Sequence, residues 1–123
     1  MATNKNYFSK EELSCKHCGE YHFDEGTLQK LNNLREEVGA AMAVTSGYRC
    51  KEYNSERGYT QTHASGQAVD ISCTHKHAFN IMKLAAKRGF TGIGIKQKGS
   101  GRFIHLDDLT ETNGRPRPHI WSY

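Results

Sequence analysis

Apolar positions recur at helical spacing in two stretches of the chain. Leu28, Leu31, Leu34 and Val38, with the Arg35 stem beside them, form one stripe, which Asp24 opens as a cap and Gly39 closes as a left-handed terminator. Ala78, Ile81, Met82 and Ala85 form a second, starting after Thr74 and closed by Gly89. A shorter helix is predicted at Ser9-Lys10-Glu11-Glu12, where the Ser hydroxyl and the Glu carboxylate satisfy each other's backbone donors, and it ends by Cys15. Strand-like runs occupy residues 42–45, 68–71, 91–96 and 102–107. The last two flank Gln97-Lys98-Gly99-Ser100-Gly101, a hairpin turn by its glycines. Residues 51–61 are polar and predict an exposed loop, and residues 108–123, with both prolines and the only Trp, predict an irregular but packed tail.

Strands with helices gathered between them, rather than strict alternation, predict an α+β fold. The expected architecture is a small antiparallel sheet with helices packed mainly on one face. At 123 residues the chain should form a single domain, residues 1–123, since two cores would each be too small. With 36% hydrophobic and 24% charged residues, that domain has a small core and much exposed loop, without the composition of a disordered chain.

Charge adds a partner class. Lys and Arg exceed Asp and Glu by 17 to 13, a net charge of +4 that favours polyanions such as acidic cell-wall polymers or nucleic acid. Lys83, Lys87, Arg88, Lys96, Lys98, Arg102, Arg115 and Arg117 lack stacking aromatics and any zinc-finger or helix-turn-helix pattern, so they read as a solvated basic face with no specific nucleic-acid partner. Residues 1–13 lack the apolar run of a signal peptide, and nowhere is there an apolar segment of membrane-spanning length. A chain made in the cytoplasm, without membrane insertion, is the expectation. Four cysteines are too few for a disulfide scaffold and should be reduced there.

The candidate chemistry lies in three segments. His63-Ala64-Ser65-Gly66-Gln67-Ala68-Val69-Asp70 places an imidazole at the end of a loop and a carboxylate in the next strand, with small residues between them. Alone, a His seven residues before an Asp is common by chance. The strand Phe103-Ile104-His105-Leu106-Asp107 adds a second imidazole among large apolar neighbours. Alternation sends Phe103, His105 and Asp107 to one face and Ile104, Leu106 and Asp108 to the other. Ser46-Gly47-Tyr48-Arg49 follows an earlier strand. Zinc accepts nitrogen and oxygen donors together, and a catalytic site needs three protein ligands with a fourth position open.

These three segments resemble the zinc D-alanyl-D-alanine carboxypeptidases and their relatives, which include phage L-alanyl-D-glutamate endolysins and the hedgehog signalling domain. The family pattern of S-G-Y-R, then S-x-H-x-x-G-x-A-x-D, then a late strand with the last His falls on residues 46–49, 61–70 and His105, and the likeness runs from Phe8 to Tyr123. By resemblance, His63, Asp70 and His105 bind Zn2+. Arg49 contacts a substrate carbonyl or carboxylate and stabilises the tetrahedral intermediate. The substrate implied is the peptide part of bacterial peptidoglycan, cut by a monomer that reaches the cell wall after release, as in phage lysis.

Two positions depart from the pattern. Gln61 stands where Ser is common, so a substrate hydrogen bond is remodelled there; Arg102 stands where many relatives carry a catalytic Glu three residues before the last His. On its strand face, Asp107 is the expected general base, with Asp108, Glu111 and His119 behind it. A non-catalytic zinc-containing binding module, as the hedgehog likeness allows, is the alternative, and a proton acceptor beside the metal argues against it. Outside this set, Cys15-Lys16-His17-Cys18 with His22 nearby suggests a structural zinc site or a disulfide that only Cys50, Cys73 or a histidine could complete. Tyr48, Tyr53, Tyr59, Trp121 and Tyr123 are candidates for a cleft lining, or for core filling.

Overall fold

The structure is a computed structural model that describes residues 2–58 and 60–123. Its elements in chain order are α1 (Lys10–Leu13), α2 (Glu25–Val38), β1 (Ala43–Ser46), α3 (Lys51–Arg57), a single 3-10 turn (His63–Ser65), β2 (Ala68–Ser72), α4 (His75–Ala85), β3 (Gly92–Lys96), β4 (Phe103–Asp107) and β5 (His119–Ser122). Local signals account for most boundaries. Ser9 and Glu12 form the reciprocal capping box of α1. Asp24 accepts the Thr27 N–H at the start of α2, and Gly39 ends that helix at φ 73°.

The five strands make one sheet in the order β1-β2-β4-β3-β5. Neighbours from β1 to β3 pair antiparallel, as expected, whereas β5 adds to β3 in parallel and makes the sheet mixed. The core lies on one face only. Val69 and Ile71 of β2, Ile93 of β3 and Ile104 and Leu106 of β4 pack there against Leu31 and Leu34 of α2 and Ala78, Ile81 and Ala85 of α4. Burying these branched side chains drives the assembly at about 25 cal/mol per Å² of apolar surface. The opposite face carries the polar residues of the same strands, and its floor is unusually bare because Gly92 and Gly94 of β3 lie beside Asp107 and His105.

Two expectations change. Residues 51–57 form helix α3 instead of loop: Lys, Glu and Arg favour helix, Asn54 is buried, and Gly58 closes the turn at φ 69°. Part of the tail is strand β5, docked by backbone pairing to β3 and by Trp121 lying over Gly94, where a Cβ would stand 2.5 Å from the indole Nε1. Tyr59 lies outside the described residues. Among those described, no helix is long and apolar enough to cross a membrane.

Candidate metal centre and cleft

Register delivers the centre. β2 pairs with β4 so that Asp70 faces His105 directly and the small Ala68 faces Asp107. His63 arrives from the 3-10 turn, whose exit at Gly66 has φ 76° and passes so close to the His22 carbonyl that any Cβ would overlap it. Donor atoms of His63, Asp70 and His105 all lie within 4.8 Å of one another. His63 Nε2 is 3.3 Å and His105 Nδ1 is 3.2 Å from the same Asp70 oxygen.

The two imidazoles are oriented from behind. His63 Nδ1 lies 2.8 Å from the Gly47 carbonyl, which can only accept, so this nitrogen carries the proton and Nε2 presents a lone pair. His105 Nε2 lies 2.8 Å from Asp107, so its proton sits there and Nδ1 presents the lone pair. Two imidazole lone pairs and a carboxylate thus converge on one point, the donor chemistry of a zinc-class cation. Burial alone would raise the pKa of Asp70, but the His105 and His63 imidazoles against it hold it well below the usual carboxylate range. Burial disfavours charge on His105, yet Asp107 and Asp70 outweigh it and raise its pKa. Both shifts express the pull of this pocket on positive charge.

Asp107 points where His105 points, as alternation predicted, but it does not reach the cleft. Its side chain is 0% exposed. Arg117 grips it bidentately, Nε to Oδ1 at 2.9 Å and Nη2 to Oδ2 at 2.8 Å, and the Leu109 N–H also donates to Oδ1. Burial raises its pKa, and His105 and Arg117 bring it far below the ordinary range. Asp108 turns to the other face, where Thr27, Lys30 and Gln67 donate to it. Glu111 is exposed and, with Thr112 and Asn113, is not among the residues that line the main cleft.

A cleft of about 540 Å³ opens over His63 and His105 and is lined by Arg49, Gln61, Arg117, His119, Trp121 and Tyr123 among others. Arg49 is aimed by its backbone: a bulge in β1 precedes it, Tyr48 N–H donates to the Leu13 carbonyl, and Arg49 N–H donates to the His63 carbonyl. Gly47 is required because a Cβ there would stand 2.7 Å from the Leu13 backbone. Gln61 lines the cleft, but its amide bonds to Asn54, Ser55 and the Lys51 carbonyl and so braces α3. Tyr48 and Tyr53 pair instead with His22 and His17.

One site residue, Arg117, was not anticipated, and Trp121, a candidate for cleft lining, takes that place. Arg117, read as surface charge, has a side chain only 6% exposed and lies under the cleft wall. Trp121 packs its ring 5.2 Å from His105 and 5.6 Å from His119. The alternation Gly92-Ile93-Gly94-Ile95 was the available signal, since bare positions on one strand face imply a large neighbour lying across it.

A search of curated proteins finds no match to the chain. A family model described as Peptidase M15 matches residues 6–107, a span that contains Arg49, His63, Asp70, His105 and Asp107 but stops before Arg117, His119 and Trp121. On that match, and on the donor set it contains, the chain belongs to the Peptidase M15 family, the zinc D-alanyl-D-alanine carboxypeptidases and endolysins.

Proposed function

We propose that this protein is a zinc peptidase that hydrolyses stem-peptide bonds of bacterial peptidoglycan, with His63, Asp70 and His105 as the metal ligands and a monomer as the working unit. The observation that carries this reading is the convergence of two oriented imidazole lone pairs and one carboxylate at the floor of a cleft beside Arg49. When bound, zinc supplies Lewis acidity to the scissile carbonyl and makes water nucleophilic near neutral pH.

The remaining roles fall to side chains of the cleft. Arg49 holds the developing oxyanion or a substrate carboxylate, a task suited to a planar fork of donors. Asp107, clamped by Arg117, fixes the tautomer and tilt of His105; this positioning role replaces that of general base, because its oxygens are sealed from the cleft. His119, within the cleft and stacked on Trp121, accepts the proton and returns it to the leaving amine. Gln61 orders the cleft rim through α3 and binds substrate at its edge. Cationic lining by Arg49, Arg115 and Arg117 suits the carboxylates of stem peptides. Membership of a family that includes endolysins makes wall degradation during phage lysis the proposed setting.

The test is digestion of purified peptidoglycan with and without a chelator, followed by mass spectrometry of the new termini. Chelator-sensitive appearance of peptide termini, absent in His63→Ala, is expected. Binding to the polymer with no new termini would instead establish a zinc-containing binding module.

A further inference from the structure

A second group of metal-type donors lies apart from the histidine centre. The chain reverses tightly after Cys15: Cys15 N–H donates to the Glu20 carbonyl at 2.9 Å, Gly19 N–H returns to the Cys15 carbonyl at 2.8 Å, and Gly19 takes φ 78°. This turn brings Cys18 back beside Cys15. Cys50, the residue before α3, joins them, so that the three sulfurs lie within 4.8 Å of one another. His17 Nδ1 is 3.4 Å from the Cys50 sulfur. On the far side of that imidazole, Nε2 lies 4.0 Å from a Glu56 oxygen of α3, so the ring spans from α3 to the sulfurs.

The surroundings of these thiols differ from those of an inert core cysteine. Cys73 shows what inert looks like: it sits in the apolar core, its thiol donates to the Ile71 carbonyl, and burial, against a backbone bond from Ile104, pushes it up to about 11. Burial acts on Cys15 in the same direction. There, however, N–H groups of Cys18, Cys50 and His17 point at the sulfur and bring it down to about 6. At Cys18 the Glu20 N–H favours the thiolate, but loss of water and the neighbouring Cys15 and Cys50 sulfurs push the thiol up. What brings the three thiols together is geometry: their sulfurs lie within 4.8 Å of one another, close enough for one cation to contact all three.

We propose that Cys15, Cys18 and Cys50, with His17 as fourth donor, bind a second zinc ion that is structural. Three soft thiolates and an imidazole, two of them in a Cys-x-x-Cys turn, are the ligand set of closed tetrahedral zinc sites. A disulfide would use only two of the three sulfurs that lie together. The ion would join the N-terminal turn to the segment that carries Arg49, since Cys50 is the next residue and a cavity of about 150 Å³ runs from Cys15 and His17 to Arg49. Its place in the molecule is thus to fix the Arg49 backbone while remaining outside the cleft.

The experiment is metal analysis of the full chain purified under reducing conditions with zinc in the medium. Two zinc equivalents per chain are expected, falling to one in His63→Ala and to one in Cys50→Ser, with Cys73→Ala unchanged at two. Replacement of zinc by cobalt in His63→Ala should show the near-ultraviolet sulfur-to-cobalt charge-transfer band, which must be missing from Cys50→Ser. If Cys50→Ser does not fold, titration of the wild-type chain with a mercurial decides: one zinc should leave as the three thiols react. A single zinc per chain that disappears in His63→Ala would overturn the proposal. So would a mass lowered by two hydrogens, with a cross-link mapped among Cys15, Cys18 and Cys50.

Discussion

His63 and His105 show how much of a metal site is decided by the groups behind it. The Gly47 carbonyl and the Asp107 carboxylate each take one imidazole proton, and the opposite nitrogens are thereby left to face Asp70. Replacing Asp107 separates positioning from base catalysis. Asp107→Asn leaves the Arg117 guanidinium buried without its counter-charge, so we expect a loss of about 3 kcal/mol of stability, on the order of 10 °C in melting temperature, and roughly ten- to hundredfold weaker zinc binding. Unchanged melting and zinc content with a large loss of rate would restore Asp107 as the base. His119→Ala should do the reverse, holding metal and fold while turnover drops by about a hundredfold. At Arg49, lysine keeps the charge but not the bidentate plane. Arg49→Lys is expected to melt normally and lose most activity; a variant that melts early but turns over normally would place Arg49 in loop packing instead.

At the scale of elements, the two core helices and four of the strands could be read from periodicity because burial on one face writes itself into spacing. Helix α3 was hidden by its own polarity: only Asn54 of its residues is buried, so no apolar stripe betrays it, although helix formers ending in Gly58 were present. Strand β5 was hidden for another reason, since its burial pattern shows no alternation and its pairing to β3 is a non-local event. The same logic divides the site. His63, Asp70, His105 and Arg49 stood in recognisable segments, whereas Arg117 and the Trp121 wall depend on a tail folding back over Gly92 and Gly94. That dependence is testable at Gly94. An alanine methyl there would drive Trp121 off the sheet, so Gly94→Ala should cost about 1 to 3 kcal/mol by overpacking and shift the emission of the sole Trp. Unaltered emission and melting would show that β5 does not rest on Gly94.

For the molecule as a whole, the sheet separates stability from chemistry. One side of the sheet holds Leu31, Leu34, Ile71, Ile81, Ile104 and Leu106, all with at most 1% exposure, and alternation along β2 and β4 turns Asp70 and His105 to the other. A core so closed does not need an ion to form, unlike small zinc-dependent folds that are unstructured without metal. Yet an ion that binds only the folded chain must stabilise it, by about 2.7 kcal/mol when free metal stands at a hundred times its dissociation constant. Mild chelation that strips the open histidine centre should therefore lower the melting temperature by several degrees while leaving a single cooperative transition and an intact circular dichroism spectrum at room temperature. Restoring zinc should restore the original midpoint. In Asp70→Asn, with the one carboxylate of the centre neutralised, the chelator should have far less to remove, and the midpoint should respond little to either addition. A wild-type midpoint indifferent to chelator and to zinc would mean that the three donors bind no ion in the resting protein, and collapse of the secondary structure at room temperature would mean that the apolar face cannot hold the fold alone.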